Sequence, residues 1–176
     1  GMGVFLSTND GSGWSRVVDL SDSNHINDTG YTASTMAYTS SRWSVLLRKS
    51  GQSRVYHAAS NATGTWAGAT VGGQAQSGQA LVNTSGAVRM AAADGTVIIV
   101  SVNDTSRSTN AGQDWTKNSN DLPRTDARDV ATDGSGTWIA VHDSGRVSIS
   151  TNNGDSWSEQ TGLQQGNNTN MRFPTG

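Results

Sequence analysis

An eight-residue phrase recurs along this chain: "STNDGSGW" from Ser7, "STNAGQDW" from Ser108 and "STNNGDSW" from Ser150. A degenerate fourth copy, "ASNATGTW", ends at Trp66 with its glycine one position closer to the tryptophan. Successive closing tryptophans lie 52, 49 and 42 residues apart. A period of this size marks one supersecondary unit used repeatedly, each copy too small to bury its apolar face without its neighbours.

The stretches ahead of the phrase share one layout. Each opens with a short segment containing small residues: Met36-Ala37, Met90-Ala91 and Val130-Ala131. A turn follows, plainest at Asp94-Gly95 and Asp133-Gly134. Next comes the most apolar segment of the unit, "WSVLL" from Trp43, "TVIIV" from Thr96 or "TWIAV" from Thr137. A polar turn leads to a third segment such as "RVSIS", then the phrase, then a fourth segment begun by its tryptophan. Four short strands per unit, with turn residues closing each hairpin, predict the blade of a β-propeller. The second strand is apolar without alternation, as expected of a central strand covered on both faces. The predicted fold class is therefore all-β, a propeller of four-stranded antiparallel blades forming a single domain over residues 1–176.

Composition separates this reading from its competitors. Only 33% of the chain is hydrophobic, which alone would suggest disorder, but six tryptophans at ordered intervals and a net charge of −2 argue against it. With one glutamate, Glu159, two lysines, and no sustained 3.6-residue apolar period, no helix is expected. The near-neutral balance lacks the basic stripe of a nucleic-acid binder. No apolar run approaches the ~20 residues that span a bilayer. The absence of cysteine removes disulfide and thiolate chemistry.

The phrase resembles the Asp-box, or BNR repeat, with the pattern Ser-x-Asp-x-Gly-x-x-Trp. Sialidases, sortilin-type receptors, photosystem II assembly factors and many phage or bacterial surface proteins carry it. Ser7, Ser108 and Ser150 match the serine; Gly11, Gly112 and Gly154 the glycine; Trp14, Trp115 and Trp157 the tryptophan. The aspartate position holds Asn9, Asn110 and Asn152. An asparagine oxygen can accept amides round a turn as an aspartate does, glycine supplies positive φ, and tryptophan covers the hairpin with a large apolar plate. These twelve residues are read as structural.

Binding is expected on the opposite face of the ring, where the longer connections 19–32, 67–86, 116–126 and 158–170 run. His25, His57 and His142 lack metal-ligand spacing, so neither a metal nor a cofactor is expected. Arg89 and Arg172 fall at matching first-strand positions beside Asp129. This trio is the candidate ligand-binding site, its guanidiniums suited to a carboxylate through bidentate bonds. The sialidase branch of the resemblance implies an arginine triad, a Tyr/Glu nucleophile pair and an acidic acid/base residue; a lone Glu159 departs from that pattern. The expected function is a non-catalytic binding or structural module for a glycan or protein ligand. A secreted, cell-surface or virion setting is favoured over the cytoplasm. A truncated sialidase-like glycoside hydrolase is the alternative.

The repeat also predicts association. "GVFLSTNDGSGWSRVV" supplies only strands three and four of a blade, and the stretch after Trp157 places another first strand at 171–175. Three complete blades and one split between the termini result. Their open edges invite pairing. Two chains joined head to tail into a ring of about seven or eight blades is the expectation; a small four-bladed ring of one chain, and a piece of a longer open reading frame that self-associates, are the alternatives.

Overall fold

The computed structural model describes residues 3–19, 30–59, 66–75, 81–143 and 145–161. The first strand expected at 171–175, Arg172 included, lies outside them. Every regular element among the described residues is a strand, in four sheets. The first sheet is a hairpin of β1 (Gly3–Leu6) and β2 (Ser15–Asp19). The second runs β3 (Thr32–Thr39), β4 (Arg42–Lys49), β5 (Gln52–Ala59) and β6 (Ala67–Gly68), each antiparallel to the last. A small hairpin follows, β7 (Thr70–Val71) and β8 (Gln74–Ala75). The third sheet holds β9 (Val88–Ala93), β10 (Thr96–Ser101), β11 (Asp104–Ser108) and β12 (Asp114–Asn118). The fourth holds β13 (Ala127–Thr132), β14 (Trp138–His142), β15 (Val147–Ser150) and β16 (Ser158–Glu159).

The central strands are apolar throughout because each serves two interfaces. Val45 and Leu47 of β4 pack towards Val4 and Trp66, whereas Leu46 between them packs towards Met90, Val97 and Trp115. In β10, Val97 and Ile99 meet the second sheet, while Ile98 and Val100 meet Val130, Trp138 and Ala140 of the fourth. Alternation along a strand is thus preserved, but both faces are dry. Each such aliphatic side chain contributes about 1.5–3 kcal/mol of burial. The alanines of β9 let it lie between β3 and β13, the first strands of the neighbouring sheets.

The recurrent phrase folds alike in its three clear copies. The hydroxyls of Ser7, Ser108 and Ser150 donate to Asn9, Asn110 and Asn152 Oδ1 at 3.0, 2.9 and 2.8 Å. The same hydroxyls accept the amides of Gly11, Gly112 and Gly154, each at 2.9 Å. Each asparagine Oδ1 then accepts the amide four residues on, from Gly13, Asp114 or Ser156, at 2.8–3.0 Å. The glycines have φ of +78 to +84°, and the residue before each (Asp10, Ala111, Asn153) is also left-handed. The bonds common to the three copies use the asparagine only as an acceptor. The further bond from Asn152 Nδ2 to Ser156 Oγ at 2.9 Å can reverse, the serine hydroxyl donating to a carboxylate, so Asn152→Asp should preserve stability. Asn152→Ala should cost about 1 kcal/mol, as the Ser156 amide and Ser150 hydroxyl lose their partner; urea unfolding measures both.

Turns of two kinds occupy opposite ends of the sheets. At one end the phrase leans on the β9–β10 and β13–β14 connections, through Ala111 N–H to Gly95 O and Asn153 N–H to Gly136 O, both at 2.8–2.9 Å. At the other end, Val102 and Asn103 accept the amides of Ala127 and Leu122 from the inter-sheet connection. Asp104 there holds the amides of Asn83 and Asn120, both at 3.1 Å.

Part of the stretch 67–86, expected to be loop, instead extends a sheet. β7 adds to β12 in parallel, giving a six-stranded order β8-β7-β12-β11-β10-β9. Thr70 and Gly72 amides donate to Gln113 and Trp115 carbonyls, and Asp114 Oδ1 accepts both the Thr70 hydroxyl and the Gly73 amide. Those bonds, Thr70's first, hold the Asp114 carboxyl below its usual range. Two-residue strands show no alternation to read, so only the three-dimensional fit reveals them.

Candidate functional site

Arg89 and Asp129 stand at matching register positions on adjacent first strands, opposite Val100 and Val141 respectively. Both are exposed. Arg89 Nη1 donates to the Val88 carbonyl at 3.0 Å, and Asp129 Oδ1 accepts the Val130 amide at 2.9 Å. The column read from the sequence is therefore present for these two, and no ion pair joins them among the described residues. Arg172, the third member, lies outside those residues.

The fourth sheet assembles a cluster that the sequence reading missed. His142 Nε2 lies 2.8 Å from Ser148 Oγ, and its Nδ1 lies 3.3 Å from Asp126 Oδ1. Serine, imidazole and carboxylate in line is the order of a nucleophile, its base and the base's orienting group. Access decides against catalysis: Ser148 is wholly buried, and so is the His142 side chain. No reacting carbonyl could reach that hydroxyl, so the line ties β14, β15 and the connection entering β13 together. Nothing in the one-dimensional spacing of 126, 142 and 148 signals it; only the pairing of β14 with β15 does.

Beside it Glu159 is clamped. Arg124 Nη2 donates to both its oxygens at 2.7 and 2.9 Å, Arg124 Nε adds a third bond at 3.0 Å, and Arg146 Nη1 bonds Oε1. Arg124 first, then Arg146, holds this carboxyl below its ordinary range, so it stays ionised and engaged. A general acid needs the opposite shift.

Burial, opposed by the Asp126 carboxylate, lowers the His142 pKa below its ordinary 6.5. The folded protein therefore takes this proton less readily than the unfolded chain, and stability falls as pH drops through 6.5 towards the depressed native value. His57, lowered by burial and by Arg42, acts with the same sign. Urea unfolding at neutral pH and at mildly acidic pH should show this loss, and His142→Gln should make the dependence shallower.

The exposed apolar surface gathers elsewhere. A cleft of about 230 Å³ opens beside β1, lined by Val4, Phe5, Leu6, Trp14, Met36, Trp43 and Trp66 with Ser7. Phe5, Trp14 and Met36 are 51%, 65% and 44% exposed. The β1 strand pairs with β2 on one side only, whereas β5, β11 and β15 each have a partner on both sides. Among the described residues its second edge is open.

Comparison with solved structures places the architecture. A GH74 xyloglucanase from Xanthomonas campestris superposes over 92% of this chain and 28% of its own, with TM-score 0.63 and 14% identity. The fold is propeller-like. YCF48 bound to D1 peptide matches 74% of this chain and 40% of its own at TM-score 0.50 and 16% identity. YCF48 from Cyanidioschyzon merolae gives a TM-score of 0.48 at 17% identity, over 74% of this chain and 37% of that one. The chain thus spans well under half the length of each of these structures. No family model matches it, and no curated protein does. Among the described residues no helix is long and apolar enough to cross a membrane.

Proposed function

We propose that this chain is a non-catalytic binding module built from Asp-box repeats. In this reading it comprises three complete four-stranded blades and half of another, and offers the open edge of its first sheet to a polypeptide. The carrying observation is where apolar surface is exposed: Phe5, Trp14 and Met36 crowd one cleft beside a strand edge that is unpaired among the described residues. An extended peptide suits such a place, since its backbone can pair with β1 while alternate side chains enter the cleft. A glycan needs several converging polar groups beside an aromatic platform. Among the described residues the one hydroxyl lining this cleft, that of Ser7, is already bonded to Asn9. A peptide ligand is in keeping with the propeller-like YCF48 whose structure is described as bound to D1 peptide.

Glycoside hydrolysis is the second reading, favoured by the extent of the xyloglucanase superposition. Against it, Glu159 is held ionised by two arginines, where the general acid of a glycosidase needs a raised pKa. Fluorogenic glycosides, sialosides and xyloglucan fragments included, should show no turnover above a blank. On parallel peptide and glycan arrays, signal should collect on extended, β-branched apolar peptides and vanish with Trp14→Ala. Turnover abolished by Arg172→Ala, or signal confined to glycans, would overturn the proposal.

A further inference from the structure

Two sheet-to-sheet interfaces within the chain use one contact. The phrase glycine of one sheet rests on the central strand of the sheet before it. A Cβ on Gly112 would collide with Ser44 Oγ of β4, with Ser44 Cβ 3.2 Å away. A Cβ on Gly154 would collide with Ile98 Cδ1 of β10, with Ile98 Cγ1 3.2 Å away. Ser44 and Ile98 are equivalent, each the third residue after its two-residue turn and each pointing onward to the next sheet. The tryptophan that follows the glycine packs into the same interface: Trp115 is wholly buried with Leu46 and Val55, and Trp157 packs among Ile98, Val100 and Trp138.

Both halves of this contact recur, in the first and fourth sheets, without a counterpart among the described residues. Gly11 of the first sheet, in the same left-handed turn as Gly112 and Gly154, has no atom within 4 Å of the position its Cβ would take. Trp14 is 65% exposed where Trp115 is fully covered. In the fourth sheet Ile139 follows the buried Trp138 as Ile98 follows Val97, and it is 40% exposed. Ile139 is where a next phrase glycine would sit. Among the described residues, the first and fourth sheets do not make this contact with each other.

Resting on the reading of the first sheet as a binding element, but using its phrase turn and not the β1 edge, we propose that this turn takes a second copy of this chain. The Gly11 turn and Trp14 of one molecule seat on Ile139 and Val141 of the other. The pairing is heterologous, since the protruding half and the receiving half lie on different sheets, and two such contacts can close a ring of two molecules. A symmetric Trp14-on-Trp14 contact would leave Ile139 bare and would reproduce neither internal interface.

Light scattering on size-fractionated protein tests this. The chain should run at twice its own mass at micromolar concentration. Trp14→Asp and Ile139→Asp should each run as monomers with unchanged circular dichroism, both sites being exposed; Trp14→Ser and Ile139→Ser serve if either aspartate variant misfolds. An equimolar mixture of the two variants should regain association, at least about tenfold tighter than either alone, because one contact in the mixed pair is intact. Association lost in Trp14→Asp yet kept in Ile139→Asp would instead show a symmetric contact and overturn the proposal. A wild-type monomer would overturn it too, while peptide-array signal lost only with Trp14→Asp would leave the binding reading standing.

Discussion

Trp115→Ala should lower the unfolding free energy by about 3–5 kcal/mol, whereas Trp14→Ala, compared on the monomeric Ile139→Asp background, should change it by less than about 1 kcal/mol. Both tryptophans close the same phrase, so local sequence distinguishes them hardly at all. Trp115 lies between the second and third sheets against Leu46, Val55, Val97 and Ile99, and its indole N–H donates to Gly112 O at 2.9 Å. Its removal opens a cavity where two sheets meet, and the dry surroundings cannot collapse to fill it. At about 2–4 °C per kcal/mol for a chain of this size, the melting temperature should fall by roughly 10 °C. Within one chain Trp14 is largely in water, and its loss from the monomer removes little buried area. Urea titrations of both variants, followed by far-UV circular dichroism, decide the matter. Equal losses would mean that the tryptophan acts within its own hairpin and not between sheets.

The contrast shows what was legible before any coordinates. Turn chemistry is local, so the Ser-Asn-Gly phrase announced its three turns, and the apolar runs from Trp43, Thr96 and Thr137 announced β4, β10 and β14. The place of Arg89 and Asp129 in one column followed from the same strand alignment. Burial of a given tryptophan was not legible, because it depends on which residues of another sheet pack against it, as Leu46 and Val55 do on Trp115. Nor was the docking of β7 on β12, which rests on Asp114 reaching Thr70 and Gly73 across the sheet edge. The Ser148–His142–Asp126 line was hidden for a related reason. Its members come from two strands and a connection, and only register sets the imidazole against the hydroxyl. Even then, residue types in catalytic order say nothing of chemistry until the access of the nucleophile is known.

Glycine positions offer the strictest test of the interface, because the same residue in the same turn meets different surroundings. On the monomeric Ile139→Asp background, Gly11→Ala should cost about 1–2 kcal/mol, the strain of a Cβ at φ +84° with open space around it within one chain. Gly154→Ala, at φ +78°, adds to that strain a collision with buried Ile98, and overpacking of this kind costs a further 1–3 kcal/mol or so. The expected total is about 3–4 kcal/mol. The Ile98 side chain cannot swing clear without striking Val130, Trp138 or Ala140 in the same cluster. The excess should therefore be a coupling between positions 98 and 154 that a double-mutant cycle can isolate. On an Ile98→Ala background the cavity left by the isoleucine receives the new methyl. Gly154→Ala should then cost only what Gly11→Ala costs, a favourable interaction of about 1–3 kcal/mol. A Gly154→Ala penalty that is unchanged by Ile98→Ala would show that the glycine is required by its turn alone. The contact would then no longer be the common element of the interfaces, and Ile139 would lose its claim to be a receiving site.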